Sequence, residues 1–269
     1  MSGVPAERRW APSMPEAYER YLVPVLFRPF ARELAGRAAA LRPRRVLELA
    51  AGTGVLTSEL VAAAPAADVV ATDLNEAMVE YGRGRVPEAS WRQADAQRLP
   101  FGDGAFDLVV CQFGAMFFPD RPAAFAEARR VLAPGGRLLF STWGPIEEHG
   151  FDAAVQAAVE RAFPADPPDF LRTLPHGYHD PAQVSADLDG GGLTPERHET
   201  VVLDGTAESA AAVATGFLTG TPLRAAVEAR GGRPEDPALQ AFLAEEMTAR
   251  LGEGPVTASM SAELFLAGR

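Results

Sequence analysis

The chain reads as an α/β protein built on a doubly wound, seven-stranded sheet whose last strand is antiparallel. Three observations predict this. Short β-branched or leucine-rich runs alternate with stretches of helical spacing, the pattern of successive βαβ units and a parallel sheet. Those runs are apolar on both faces, as expected for strands covered by helices on each side. The 269 residues are 47% hydrophobic and 23% charged, which is ordinary globular usage and excludes a disordered or fibrous chain. No apolar run approaches the ~20 residues of a membrane helix. The first ten residues carry Glu7, Arg8 and Arg9 and no apolar core, so no secretory signal is expected there.

Taken in order, Met14–Leu41 predicts two helical pieces broken near Pro24 or Pro29, because proline removes an N–H and crowds the preceding turn. Strands are predicted at Arg45–Leu49, Asp68–Asp73, Phe106–Gln112 and Arg137–Trp143, with Ala89–Ala94 as a further candidate. Between them the helices are Leu56–Ala64, Asn75–Gly84 and Ala123–Leu132. After Trp143 the character changes. A helix at Asp152–Phe163 leads into the proline-rich stretch Pro164–Pro181, which holds two of the four histidines. A short helix at Ala182–Leu188 and a strand at Arg197–Leu203 follow, then helices at Glu208–Phe217, Leu223–Arg230 and Ala238–Leu251, and a closing strand at Val256–Leu266. The last two strands are expected to pair antiparallel at the far edge. Thr206–Pro255 then forms a helical cap insertion over the carboxyl ends of the strands, where open α/β sheets bind ligands. No internal repeat or low-complexity linker interrupts the chain.

The net charge is −11, and all 25 basic residues are arginine. The absence of lysine excludes Schiff-base chemistry on a lysine amine. The acidic balance argues against nucleic acid as substrate, since phosphate binding needs clustered cations. The single cysteine, Cys111, excludes an internal disulfide and a multi-cysteine metal site; it reads as a small buried apolar residue and fits a reducing cytoplasm. No metal is expected.

The first strand runs straight into Glu48-Leu49-Ala50-Ala51-Gly52-Thr53-Gly54, and a helical pattern starts at once. Small residues let the backbone turn tightly and let a ligand approach the main chain, where the N–H groups of the new helix lack partners. A dinucleotide site wants a third small residue three positions on. Here that place holds Thr57, and Glu48 is badly placed for two phosphates; a carboxylate there suits a cationic ligand. Asp73 ends the second strand, 19 positions after Gly54, where an acid can take both ribose hydroxyls. Asp95 follows the third strand, placed to accept a hydrogen bond from an adenine amino group. Each has a structural alternative as a helix or turn cap.

These residues resemble the class I S-adenosylmethionine-dependent methyltransferases, in the branch of quinone-biosynthesis C-methyltransferases and natural-product methyltransferases. The resemblance runs through Glu48-x-x-x-Gly52-x-Gly54, Asp73, Asp95-Ala96, Phe106–Gln112 and Arg130–Leu138, all in order, over roughly Arg44 to Trp143. Ala50 stands where many members have a first glycine. The resemblance implies a Rossmann-like fold, S-adenosylmethionine as cofactor and methyl transfer to a small-molecule acceptor by in-line displacement. It also implies cofactor contacts at Tyr18, Glu48, Ala50, Gly52, Thr53, Gly54, Asp73, Leu74, Met78, Asp95, Ala96, Gln112, Phe113 and Phe117. Core packing is the alternative for Tyr18, and packing of the following helix for Phe117. If the acceptor must lose a proton, the candidate bases are His149, His179 and His176, each with a structural role as its alternative. The expected organisation is one domain over 1–269: a helical lid at 14–43, a cofactor-binding core at 44–145, a substrate-side segment and strand at 146–205, the cap at 206–255 and the last strand at 256–269. Nucleic acid and membrane are not expected as partners, and the chain is expected as a monomer or homodimer in the cytoplasm. Two other enzyme classes fit parts of the pattern: a protein of the same fold performing another reaction, such as a cyclisation, and a nicotinamide oxidoreductase, which Thr57 and Glu48 oppose.

Overall fold

The computed structural model describes residues 14–269; Glu7, Arg8 and Arg9, read above for a leader, lie outside them. The first described stretch is helical through its three prolines, Pro15, Pro24 and Pro29. α1 (Met14–Ala17) leads into a ten-residue π-helical segment, Tyr18–Phe27, and then into α2 (Arg28–Ala40). The expected break near Pro24 or Pro29 is therefore corrected. In the π segment hydrogen bonds reach five residues back, as the Arg28 N–H does to the Val23 carbonyl. The wider turn relieves the clash that the Pro24 ring makes in a tighter helix.

The remaining elements follow in the expected order, with one short helix, Phe170–Thr173, added inside the proline-rich stretch. They are β1 (Arg45–Glu48), α3 (Val55–Ala63), β2 (Asp68–Asp73), α4 (Glu76–Arg85), β3 (Ser90–Gln93), β4 (Phe106–Gln112), α5 (Arg121–Val131) and β5 (Leu132–Trp143). Then come α6 (Gly150–Ala162), α7 (Phe170–Thr173), α8 (Pro181–Gly190), β6 (Thr194–Ala207), α9 (Ala210–Gly220), α10 (Leu223–Glu228), α11 (Pro237–Leu251) and β7 (Val256–Gly268). Helix starts are fixed by side-chain caps: Asn75, Asp120, Asp180, Ser209 and Asp236 each accept a backbone N–H of the first turn. Such caps are worth ~0.5–2 kcal/mol apiece, enough to set the boundary.

The seven strands form one sheet in the order β3-β2-β1-β4-β5-β7-β6. β1 to β5 pair in parallel, and β7 runs antiparallel to β5 from Arg137↔Gly268 to Trp143↔Ala262. β5 begins five residues earlier than the pattern predicts, because Leu132 already pairs with Phe106; the register then shifts before Leu108↔Arg137. The run Pro134-Gly135-Gly136 is thus an irregularity within the strand. The strand order reverses between β1 and β4, so the crevice at the carboxyl ends of the strands opens beside the β1 loop.

The chain divides into two units. One comprises Phe30–Trp143, Tyr178–Val201 and Ala262–Arg269 and holds the parallel strands. Its core includes the buried Leu47, Leu108, Val109, Phe140 and Phe265, the two phenylalanine rings stacked at 5.1 Å. Burying one such side chain contributes ~1.5–3 kcal/mol. The other unit comprises residues 14–29, Gly144–Gly177 and Val202–Ser261. Here α9 and α11 pack on each other, α6 packs on both, and α9 also packs on the π segment. Phe151, Val155, Val213, Phe217, Leu243 and Met247 are buried there. The predicted insertion Thr206–Pro255 forms α9, α10 and α11 of this unit. No described helix is long and apolar enough to cross a membrane.

Candidate functional site

The β1 loop is held in a shape that few sequences allow. Ala50, Gly52 and Gly54 have φ of 52°, 56° and 85°. Gly54 caps α3, and a Cβ there would lie 2.9 Å from the Trp91 ring, so both conformation and space exclude a side chain. At Gly52 a Cβ would meet nothing within 4 Å, so the space beside this backbone is open. The loop is tied to β2 at several points. The Gly52 N–H donates to Asp73 Oδ2 at 2.9 Å, and the Ala51 N–H donates to the Thr72 carbonyl at 2.9 Å. The Thr72 hydroxyl returns a bond to the Glu48 carbonyl at 2.7 Å.

Glu48 is buried, and its Oε2 accepts the Thr57 hydroxyl at 2.6 Å. Thr57, read from the sequence only as a departure from a dinucleotide fingerprint, is thus the partner of the acid. Burial pushes the Glu48 carboxyl up to about 8; the Thr57 hydrogen bond opposes the rise and the neighbouring Asp73 charge adds to it. Asp73 is half-buried, which raises its carboxyl, while N–H groups of Asn75 and Gly52 hold its charged form. Each Asp73 oxygen accepts one of these bonds and keeps lone-pair capacity for another donor.

Around this ladder the other predicted residues take distinct places. Leu74 is 59% exposed, an uncovered apolar side chain next to Asp73, while Met78 is buried in α4. Asp95 is exposed and caps the turn to Gln97, whose N–H reaches its Oδ1 at 2.9 Å; Ala96 beside it is buried. Thr53 is buried, and its hydroxyl has no hydrogen-bond partner among the described residues. Gln112, the last residue of β4, and Phe117 beyond it are half-buried. Phe113, with φ of 52°, stacks on Trp143 with ring centroids 3.4 Å apart and meets the edge of Phe30 at 5.5 Å, so its ring belongs to an aromatic core cluster. Tyr18 lies in the helical unit, half-buried, with its ring 4.8 Å from Phe27.

Two of the three candidate histidines meet in the helical unit. His149 precedes α6, and Asp152 lies one turn on; His149 Nδ1 is 2.5 Å from Asp152 Oδ2. His176 Nε2 lies 3.2 Å from Asp152 Oδ1, and His176 Nδ1 lies 2.7 Å from the Gly144 carbonyl. All three side chains are buried. Burial opposes the Asp152 charge, but the two imidazoles outweigh it and hold the carboxyl well below the usual carboxylate range. His179 is half-buried and falls in the sheet unit. Asp152 was read only as the start of a helix; the i, i+3 spacing from His149 was the available signal.

A sheet of this strand order, with acids closing its first two parallel strands and a third acid just beyond the next, defines a class I methyltransferase fold. Residues 47–140 match the family model described as a methyltransferase domain. The chain is 40% identical over 126 residues to a demethylmenaquinone methyltransferase of Thermus thermophilus, covering 45% of this chain and 57% of that protein. It is 38% identical over 191 residues to a malonyl-[acyl-carrier protein] O-methyltransferase of Halorhodospira halophila, covering 65% and 61%. The chain spans about half to three fifths of the length of the curated relatives it matches. Among solved structures, Haemonchus contortus phospholethanolamine N-methyltransferase 2, in complex with phosphomonomethylethanolamine and S-adenosylhomocysteine, aligns with 100% of this chain and 61% of its own, with a TM-score of 0.62 at 15% identity, a likeness of fold.

Proposed function

We propose that the chain transfers a methyl group from S-adenosylmethionine to a small, partly apolar acceptor. The observation that carries the reading is the acid ladder around an open glycine loop: buried Glu48, half-buried Asp73 and exposed Asp95, with uncovered Leu74 beside them. The residues fit that cofactor. Glu48 offers a carboxyl that a neighbouring ammonium group would hold ionised, Asp73 has capacity for ribose hydroxyls, and Leu74 offers an apolar face to a purine. The Thr53 hydroxyl has no hydrogen-bond partner among the described residues, and the space beside Gly52 is clear. When bound, the cofactor supplies an electrophilic methyl group on a sulfonium, with a neutral leaving group.

The chain's own contribution is positioning, since orienting two reactants in place of free encounter is worth ~7–11 kcal/mol. No acid is required for a neutral leaving group. A base enters only for an acceptor that must lose a proton, and we place it among His149, His176 and His179. The net charge of −11 supports a small molecule over a nucleic acid, and buried Cys111 supports a reducing compartment such as the cytoplasm. The test is calorimetry with S-adenosylhomocysteine and with NADH, followed by transfer of a labelled methyl group to quinone-type and other small acceptors. Binding of NADH in place of S-adenosylhomocysteine would overturn the cofactor assignment. Cofactor consumption without label in the product would redirect it to a non-methylating reaction.

A further inference from the structure

The buried group formed by His149, Asp152 and His176 has no role in the cofactor loop, and its geometry poses a problem of charge. A carbonyl oxygen only accepts, so the 2.7 Å contact fixes His176 Nδ1 as the donor to Gly144. In the neutral ring Nε2 then carries a lone pair, and it faces Asp152 Oδ1, another acceptor, at 3.2 Å. Asp152 Oδ2 faces His149 Nδ1 at 2.5 Å. The three ligand atoms lie within 4.8 Å of one another, and the side chains are 0%, 4% and 2% exposed. A positive centre between Asp152 Oδ1 and His176 Nε2 satisfies both acceptors.

We infer that His149, Asp152 and His176 form a site for a divalent transition-metal ion of the zinc class. Two imidazoles and one carboxylate are a donor set suited to such ions. Two ligands come from one turn of chain, His149 and Asp152, and the third from a separate segment; this combines a short chelate with a long loop closure. The Gly144 carbonyl on His176 Nδ1 is the outer contact that orients a metal-binding imidazole and fixes its tautomer. All the groups belong to the helical unit, so the site is complete within it. A bound ion occupies the lone pairs of both imidazoles, which removes them from service as bases and leaves His179 as the candidate for that task.

The experiment begins with the unmodified chain. After dialysis against a chelator, Zn2+ alone is titrated by calorimetry, and Co2+ alone is titrated in the visible spectrum. One-to-one Zn2+ binding is expected, with a Co2+ band of a nitrogen- and oxygen-ligated site. Asp152→Asn and His176→Gln should each weaken binding by ~10–100-fold or more, since even outer contacts of a metal site carry that much. His198→Gln, on β6, should change nothing. S-adenosylhomocysteine binding by each variant reports that the sheet unit is folded, and near-ultraviolet circular dichroism does the same for the whole chain. Absence of Zn2+ and Co2+ binding by the folded unmodified chain would overturn the inference and leave a proton shared between Asp152 and His176 as the positive charge. Equal affinity in a folded Asp152→Asn protein would overturn it as well, by placing the ion elsewhere.

Discussion

Glu48→Gln tests the electrostatics of the cofactor loop most directly. The Glu48 carboxyl is pushed up to about 8 in the folded chain from an ordinary value of 4.5. The folded state therefore binds this proton more tightly than the unfolded state does, and stability falls as pH rises through the interval between the two values. At pH 7 the unfolded chain has ionised Glu48 and the folded chain largely has not. Two and a half pH units, at ~1.4 kcal/mol each, amount to about 3 kcal/mol of lost stability, and the loss levels off near 5 kcal/mol above pH 8. Glutamine is neutral at every pH and its amide oxygen can still accept the Thr57 hydroxyl. The variant should match the parent near pH 4.5, exceed it by about 3 kcal/mol at neutral pH, and widen the gap until about pH 8. Urea unfolding of both proteins across this range, followed by tryptophan fluorescence, measures the gap. In the same protein the affinity for S-adenosylhomocysteine should fall, since an amide does not neutralise an ammonium group; stability and binding move in opposite directions. A gap that stays constant with pH, or a variant less stable than the parent at pH 8, would refute the reasoning.

Three other outcomes are expected. Asp73→Ala removes a charged acceptor from two ribose hydroxyls, each bond worth ~1.5–3 kcal/mol, and calorimetry should show S-adenosylhomocysteine affinity lowered by a factor of ten or more; a change below about threefold leaves Asp73 as a cap alone. Gly54→Ala forces a Cβ onto a φ of 85° and to 2.9 Å from Trp91, so urea unfolding should report a loss of ~1–3 kcal/mol, and an unchanged midpoint contradicts the loop geometry. Cys111 is buried, and burial pushes its thiol up to about 12, so iodoacetamide at pH 8 should leave the folded chain unmodified and alkylate the urea-unfolded chain; equal rates would show the thiol to be accessible.

Much of the sheet was legible because its strands depend on local pattern. Asp68–Asp73 and Phe106–Gln112 are found at the predicted residues, since buried parallel strands are continuous apolar runs ended by polar ones. The helix start at Asn75 is written in capping chemistry, whereas α5 begins two residues before the predicted Ala123, where Asp120 caps it. Pro24 misled because the rule that proline breaks a helix assumes a turn closed four residues back, and the π segment closes five back. Leu132 was missed as the first residue of β5 because a Pro-Gly-Gly run reads locally as a turn, and only pairing to Phe106 shows it to be strand. At the site, Glu48, Gly52, Gly54 and Asp73 follow from spacing alone. Trp91 beneath Gly54 and His176 against Asp152 do not, because segments distant in sequence bring each pair together.

The place of β7 between β5 and β6 has a consequence for how the chain is made. β6 ends at Ala207 and its neighbour among the described strands begins at Val256, after α9, α10 and α11. During synthesis at ~5–20 residues per second, β6 waits on the order of 2–10 s for a hydrogen-bonding partner, with β5 exposing the opposite edge of the gap. Two open strand edges are templates for pairing with another chain. The parallel part of the sheet can assemble as it emerges, whereas the antiparallel edge closes only when the final strand slides between two that are already waiting. Chaperone dependence and misassembly during expression should therefore concentrate on these late-closing edges, while the glycine loop after β1 is flanked by both its neighbours, β2 and β4, long before.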